Sequence, residues 1–367
     1  MMKNQDSNHK AGNRESKIRV LVVDDASFMR KAILGMLESD PRIEVVGTAV
    51  NGEEGLAKIN ELKPDVVTLD IDMPVMDGIT SIRHIMIKSP VPVVVLSSLF
   101  SDGAITFDAL RLGVVDFIPK PSGAVSTDID RSRQHLIDRV KMASEINLGN
   151  IRRVRLPQKT SDNSFASGGY HPLDYLLAIG TTLSGPNTLI RLLSHLPATL
   201  PAAVVVIVEM SSRVLEAFVK RFDMLVPWEV AAAEEGMPLK AGTCYISSCR
   251  RSVRLQELPD GIICLQMIDN STEPLNHLFR STAELFQNNT IGLLLSGIGT
   301  DGADGLARIQ ELSGFTIAQD TRTCVFPNLT DNAIKHGSVN QVLEETRIPT
   351  AIISAMSKQR SIDDSHL

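Results

Sequence analysis

The sequence predicts an α/β protein of two domains, each a doubly wound and mostly parallel sheet, joined by a polar linker. Three observations carry this expectation. The 367 residues exceed one ordinary domain of roughly 100–200 residues. In both halves, short runs rich in valine and isoleucine alternate with amphipathic helical patterns, as strands covered on both faces do. Between the halves, residues 121–172 lose that alternation.

The elements follow in order. IRVLVV (18–23), EVVGTA (44–49), VVTL (66–69), PVVVL (92–96) and VDFI (115–118) read as five parallel strands. Helical patterns separate them, such as SFMRKAILGMLES, with apolar side chains every three or four positions. A Pro/Ser/Gly opening then leads into a helix of alternating charge, about 127–148, and the polar stretch QKTSDNSFASGGYHP reads as a linker. From Tyr175 the alternation resumes. LLAIG, AAVVVIVE, TCYIS, GIICL, IGLLLSG and FTIAQD are strand candidates, and PNTLIRLLSHL, RVLEAFVKRF, LNHLFRSTAELF and DGLARIQEL are helix candidates. The expected boundaries are a disordered tail over 1–16, a first domain over 17–125, helix and linker over 126–172, a second domain over 173–358 and a loose tail over 359–367.

Composition narrows the function classes. A net charge of −6 gives no basic stripe for nucleic acid. No apolar run reaches the roughly 18 residues of a membrane span, and the polar start has no apolar leader, so a cytoplasmic protein without membrane insertion is expected. Cys244, Cys249, Cys264 and Cys324 show no CxxC spacing and are expected to stay reduced.

Chemistry gathers at strand ends. Asp24 and Asp25 follow the first strand and Asp70 ends the third. In a doubly wound sheet those ends are neighbours, so three carboxylates converge on one rim. An all-oxygen site of that charge favours Mg²⁺. Ser97 ends the fourth strand, and Lys120 follows the fifth inside FIPKP. A carboxylate that attacks a phosphodonor needs this set of metal, nucleophile, hydroxyl and cation. The plainer alternative is that such carboxylates cap helices or face solvent.

At this point a family resemblance is clear. Residues 17–121 resemble a response-regulator receiver domain of flavodoxin-like fold, with VVDD, LDIDMPVMDG, LSS and IPKP in register. The resemblance implies Asp70 as phosphoacceptor, Mg²⁺ held by Asp24, Asp25 and Asp70, switch roles for Ser97, Phe117 and Lys120, and a histidine kinase as phosphodonor. Residues 175–356 resemble the methylesterase domain of chemotaxis CheB proteins, best over LLLSGIGTDGADGL (293–306) and FTIAQDTRTCVF (315–326). That resemblance implies methyl-accepting chemoreceptors as partners. It also implies a receiver that covers the esterase pocket until phosphorylation shifts the domains apart.

The esterase motifs depart from the family pattern. A nucleophile segment similar to IGASTGG reads IGTTLSG here, placing Thr182 at the nucleophile and Ser184 at a glycine position. The family's base histidine falls on Glu209 in VEMS, whereas the third member matches Asp301. A segment resembling APGGxH is SSCRRS, and the turn after AQD has become PNL. Threonine keeps a hydroxyl but adds a methyl that restricts χ1. A carboxylate of pKa about 4.3 is a weak base for an alcohol, and general acid–base assistance supplies roughly 10²–10⁴-fold. His171, His195, His277 and His336 offer no evident substitute. Thr182 and Ser184 also read as caps of the following helix, and Asp301 as the N-cap of the helix GADGLARIQEL.

The expectation is therefore a phosphorylation-controlled regulator whose hydrolysis of glutamyl methyl esters is lost or much reduced. The alternative is an active methylesterase or glutamine deamidase working through Thr182 or Ser184 with Glu209 and Asp301. A DNA-binding regulator is disfavoured, because no basic recognition helix follows the linker.

Overall fold

The computed structural model describes residues 17–97, 103–120, 126–146, 148–150, 173–183 and 185–363. The N-terminal domain alternates strictly. Strands β1 (Ile18–Val23), β2 (Ile43–Ala49), β3 (Val66–Asp70), β4 (Val93–Ser97) and β5 (Asp116–Pro119) carry the apolar runs. Helices α1 (Ser27–Glu38), α2 (Gly52–Leu62), α3 (Gly78–Lys88), α4 (Gly103–Leu112) and α5 (Ser126–Ser144) lie between and after them. The sheet order is β2-β1-β3-β4-β5, and every pairing is parallel. Because the order reverses between β1 and β3, their carboxyl ends flank a crevice. That crevice receives Asp24, Asp25 and Asp70. Gly78 opens α3 hard against it, since a Cβ there would lie 2.4 Å from the Asp70 carbonyl oxygen.

The C-terminal domain is also wound on a parallel sheet. It comprises β6 (Tyr175–Gly180), α6 (Gly185–His195), β7 (Ala202–Val208), α7 (Ser212–Asp223), β8 (Glu229–Ala232) and β9 (Thr243–Ser248). Next come β10 (Arg251–Glu257), β11 (Ile263–Asp269), α8 (Pro274–Phe286), β12 (Thr290–Leu294) and α9 (Ala303–Glu311). The last elements are β13 (Phe315–Gln319), α10 (Asn328–His336), β14 (Gln341–Leu343) and α11 (Ile348–Asp363). Seven strands run in the order β14-β13-β12-β6-β7-β9-β8, so the switch point lies between β12 and β6. Every residue of β6, β7 and β12 is buried, which is why these strands read as unbroken apolar runs rather than alternating ones.

Three expectations are corrected. The last three residues of the GIICL segment open β11, which pairs antiparallel with β10 in a separate two-stranded ribbon. Alternation of apolar and charged residues along β10 keeps that ribbon outside the doubly covered sheet. The charged helix α5 stops at Ser144 rather than near 148. At the other end, α11 continues through part of the expected loose tail to Asp363. The expected 1–16 tail and, of the helix-and-linker region 126–172, the stretch 151–172 that includes QKTSDNSFASGGYHP lie outside the described residues.

The two domains pack against each other along two seams. Phe107 of α4 is fully buried, with its ring 5.6 Å from Phe218 and 6.3 Å from Phe222 of α7. Beside it, Asn187 of α6 donates to the carbonyls of Leu110 (2.9 Å) and Arg111 (3.3 Å) in the last turn of α4. The Leu110 carbonyl also accepts from Gly113 N at 3.0 Å, so Asn187 of the neighbouring domain adds to the cap of α4. Along the second seam, Leu136, Ile137, Val140 and Ala143 of α5 share an apolar cluster with Leu183, Val325 and Phe326 of the C-terminal domain. No described helix is long and apolar enough to cross a membrane.

Candidate functional site

The rim of the N-terminal sheet brings the predicted phosphoacceptor group together. Asp24 is 1% and Asp70 3% exposed, and oxygens of Asp24, Asp25 and Asp70 lie within 4.8 Å of one another. Lys120 Nζ donates to Asp70 Oδ2 at 2.6 Å and lies 2.8 Å from Asp24 Oδ2. Burial pushes the Asp70 carboxyl above its usual range, with Lys120 opposing the shift. Burial works against the Lys120 charge in turn, but hydrogen bonds and attraction from Asp24 and Asp70 outweigh it and raise its pKa. Asp70 Oδ1 accepts from Ile71 N at 2.7 Å, and Asp24 Oδ1 from Ala26 N at 2.9 Å, so backbone amides fix both carboxylates.

Ser97 is buried at the end of β4, and its carbonyl accepts from Lys120 N at 3.1 Å. Phe117 lies against apolar side chains of both domains. The donor set suits a hard divalent cation, being all oxygen and of excess negative charge. Asp24 Oδ2 adds to this fit. It is buried, and among the described residues the cation that meets its charge is Lys120, at 2.8 Å.

The C-terminal switch point receives Thr182, just beyond β6. Its hydroxyl accepts from Ile298 N at 2.6 Å and donates to Ile298 O at 3.1 Å. Thr182 thereby pins the loop after β12 across the crevice. Gly297 permits this approach, because a Cβ there would lie 2.5 Å from Thr182 Oγ1. Thr182 is 9% exposed, and the neighbouring Leu183 lies in the cluster built on α5.

Asp301 is also placed differently from its sequence reading. Its carboxylate accepts from Leu275 N (2.7 Å) and Asn276 N (3.1 Å), so it caps α8. The N-cap of α9 is Gly302, at φ 98°. Burial raises the Asp301 pKa, and the amides of α8 work against the rise. Glu209, just past β7, accepts from Arg139 Nη2 of α5. Each of the three positions thus has a different hydrogen-bond partner, and no described hydrogen bond joins any two of them. Ser184 lies outside the described residues.

Among the weighed histidines, His195 Nδ1 is 2.7 Å from Arg191 O, His277 Nδ1 is 3.0 Å from Ser271 Oγ, and His336 pairs with Asp304 at 3.2 Å. His171 lies outside the described residues. Sequence reasoning missed His135 and Arg139. Both line a cavity of about 310 Å³ between the domains, facing Glu209 and Arg250. Their spacing of four along α5 puts them on one face, which was the available signal. Burial lowers the His135 pKa, helped by Arg139 and Arg250. Its Nε2 accepts from Arg139 Nε at 3.1 Å, as a neutral imidazole does.

The comparisons agree with this two-part architecture. The family model for the response regulator receiver domain matches residues 20–127, and that for CheB methylesterase matches 177–352. A protein-glutamate methylesterase/protein-glutamine glutaminase of Halalkalibacterium halodurans is 35% identical over 352 residues, covering 92% of this chain and 98% of the relative. One of the same name from Bacillus licheniformis is 36% identical over 357 residues, covering 94% and 100%.

Solved structures include the CheB methylesterase catalytic domain of Thermotoga maritima, 27% identical, covering 49% of this chain and 97% of its own, at a TM-score of 0.46. The response regulator domain of Thermotoga maritima CheB is 45% identical, covering 36% and 98%, at 0.33. The chain therefore belongs to the CheB family of chemotaxis response regulators, with a receiver domain followed by a methylesterase domain.

Proposed function

We propose that this chain is a phosphorylation-controlled chemosensory regulator. Asp70 takes a phosphoryl group from a histidine kinase, and hydrolysis of glutamyl methyl esters on methyl-accepting chemoreceptors is greatly weakened. In the receiver, an Asp70 oxygen attacks phosphorus while the bond to the donor nitrogen breaks. Lys120, already 2.6 Å from Asp70 Oδ2, offers its charge to the transferred group. Asp24, Asp25 and Asp70 would hold Mg²⁺, which when bound supplies charge neutralisation to the phosphoryl oxygens. Ser97 and Phe117 take the switch roles.

The observation that carries the esterase half is the partnering of Glu209. Attack by Thr182 on an ester carbonyl requires a base for the hydroxyl proton and an acid for the departing methoxide. Glu209 instead accepts from Arg139, and the Thr182 hydroxyl is spent on Ile298. Losing one member of such a unit lowers turnover by on the order of 10⁴–10⁶-fold. The second reading, an active methylesterase or glutaminase acting through a variant site, is favoured by the names of the relatives.

One set of assays decides between them. Acetyl phosphate with Mg²⁺ is expected to label the wild type and not Asp70→Asn. Methylated receptor membranes are expected to release methanol only at background rate. Brisk release that disappears in Thr182→Ala would establish the second reading instead.

A further inference from the structure

The cavity between the domains is walled by Asp116, His135 and Arg139 on one side and by Glu209, Ser211 and Arg250 on the other. Arg139 organises it. Its Nε lies 3.2 Å from Asp116 Oδ2 of β5, and its Nη2 donates to Glu209 Oε1 of the C-terminal domain. The Arg139 side chain is 14% exposed, that of Asp116 18% and that of Glu209 34%, so solvent screens the Asp116 arm less than the Glu209 arm. Asp138 on the same helix also acts on Arg139, and Arg250 across the cavity acts on the neighbouring His135.

Two carboxylates facing each other from different domains repel, and a single guanidinium between them turns repulsion into attachment. Arginine suits the task because its planar fork serves two acceptors at once. Among the described residues, Arg139 is the cation that pairs with Glu209.

We propose that Glu209 is the anchor by which the catalytic domain holds the receiver. The clamp Asp116–Arg139–Glu209 keeps the domains closed by occupying the family's base position. A residue position used for proton transfer in the resembling esterases is here converted into an interdomain ion-pair site. This inference rests on the regulatory reading above and specifies how its closed state is held. Asp116 opens β5 and the phosphoacceptor's partner Lys120 directly follows it, so the clamp is seated on the strand that leads to the switch lysine.

Charge exchange tests the clamp. In the full-length, unphosphorylated chain, amide exchange over 209–215 is read by mass spectrometry for wild type, Arg139→Glu, Glu209→Arg and the double variant. Arg139→Glu is expected to accelerate exchange there roughly tenfold, within the range of coupling between contacting charges. The double variant, which restores opposite signs, is expected to return close to wild type. Unchanged exchange in Arg139→Glu overturns the proposal, as does a double variant that stays open. Circular dichroism melting checks folding, and Arg139→Gln, which adds no new charge, repeats the comparison if Arg139→Glu fails to fold. Labelling of Asp70 is followed in the same samples. Its failure would remove the receiver reading, while the exchange comparison still decides the clamp.

Discussion

Val75 illustrates strain held at one residue. It sits in the loop between β3 and α3 at φ 70°, and 78% of its surface is exposed. A β-branched side chain in the left-handed region is disfavoured by roughly 1–2 kcal/mol, and exposure leaves it no burial in return. Asparagine tolerates that conformation, so Val75→Asn is expected to raise the melting temperature by about 2–4 °C. Differential scanning calorimetry checks this; no change would mean the backbone relaxes without penalty. The receiver residues were legible in the sequence because strand ends deliver them in fixed order to one crevice. Glu209 and Thr182 were legible as positions, but their partners were not. Arg139 lies 70 residues away from Glu209 and meets it only through packing of the two domains.

At the level of elements, buried strands were readable because hydrophobic runs of valine and isoleucine have few other uses. β8, β10 and β14 escaped. β10 carries Arg251, Arg254 and Glu257, whereas β14 is only three residues long, too short for a period to register. Helix α5 was recognised as a helix with charged sides, but its stripe of Leu136, Ile137, Val140 and Ala143 belongs to a core shared with the other domain.

The helix caps carry a prediction at this scale. Asp301 satisfies two amides of α8, whose first turn begins with Pro274 and contains no acidic residue of its own. Asp301→Ala is expected to destabilise the domain by about 0.5–2 kcal/mol, and Asp301→Asn, which keeps the acceptor, by much less. Equal losses in urea denaturation would show that capping is not what Asp301 contributes.

For the whole molecule, acidity tests the contact between domains. Burial pushes the Asp116 carboxyl up to about 6 from an ordinary 3.8, despite the pull of Arg139. A raised carboxyl pKa means the folded state holds its proton to higher pH than the unfolded state does. Its contribution to stability is therefore complete below about 4 and disappears as pH climbs through about 6. Carboxylates such as Asp40, lowered to about 2 by Lys141, act in the opposite sense at lower pH. The comparison must therefore be with Asp116→Asn. Stability of the wild type relative to that variant is expected to fall between pH 4 and 6 and to level off above; parallel curves would refute the assignment.

The two seams between the domains differ in what breaks them. Around α5 the seam includes ions, so salt and added charge loosen it. Around α4 it is a knot of Phe107, Phe218 and Phe222 with Asn187 capping the helix end, which salt barely touches. An opening driven by charge at the acidic rim would accordingly swing α5 outward and leave the phenylalanines seated as a pivot. Such a motion would widen the cavity between Arg139 and Glu209 like a book turned on its spine, without ever releasing one half from the other.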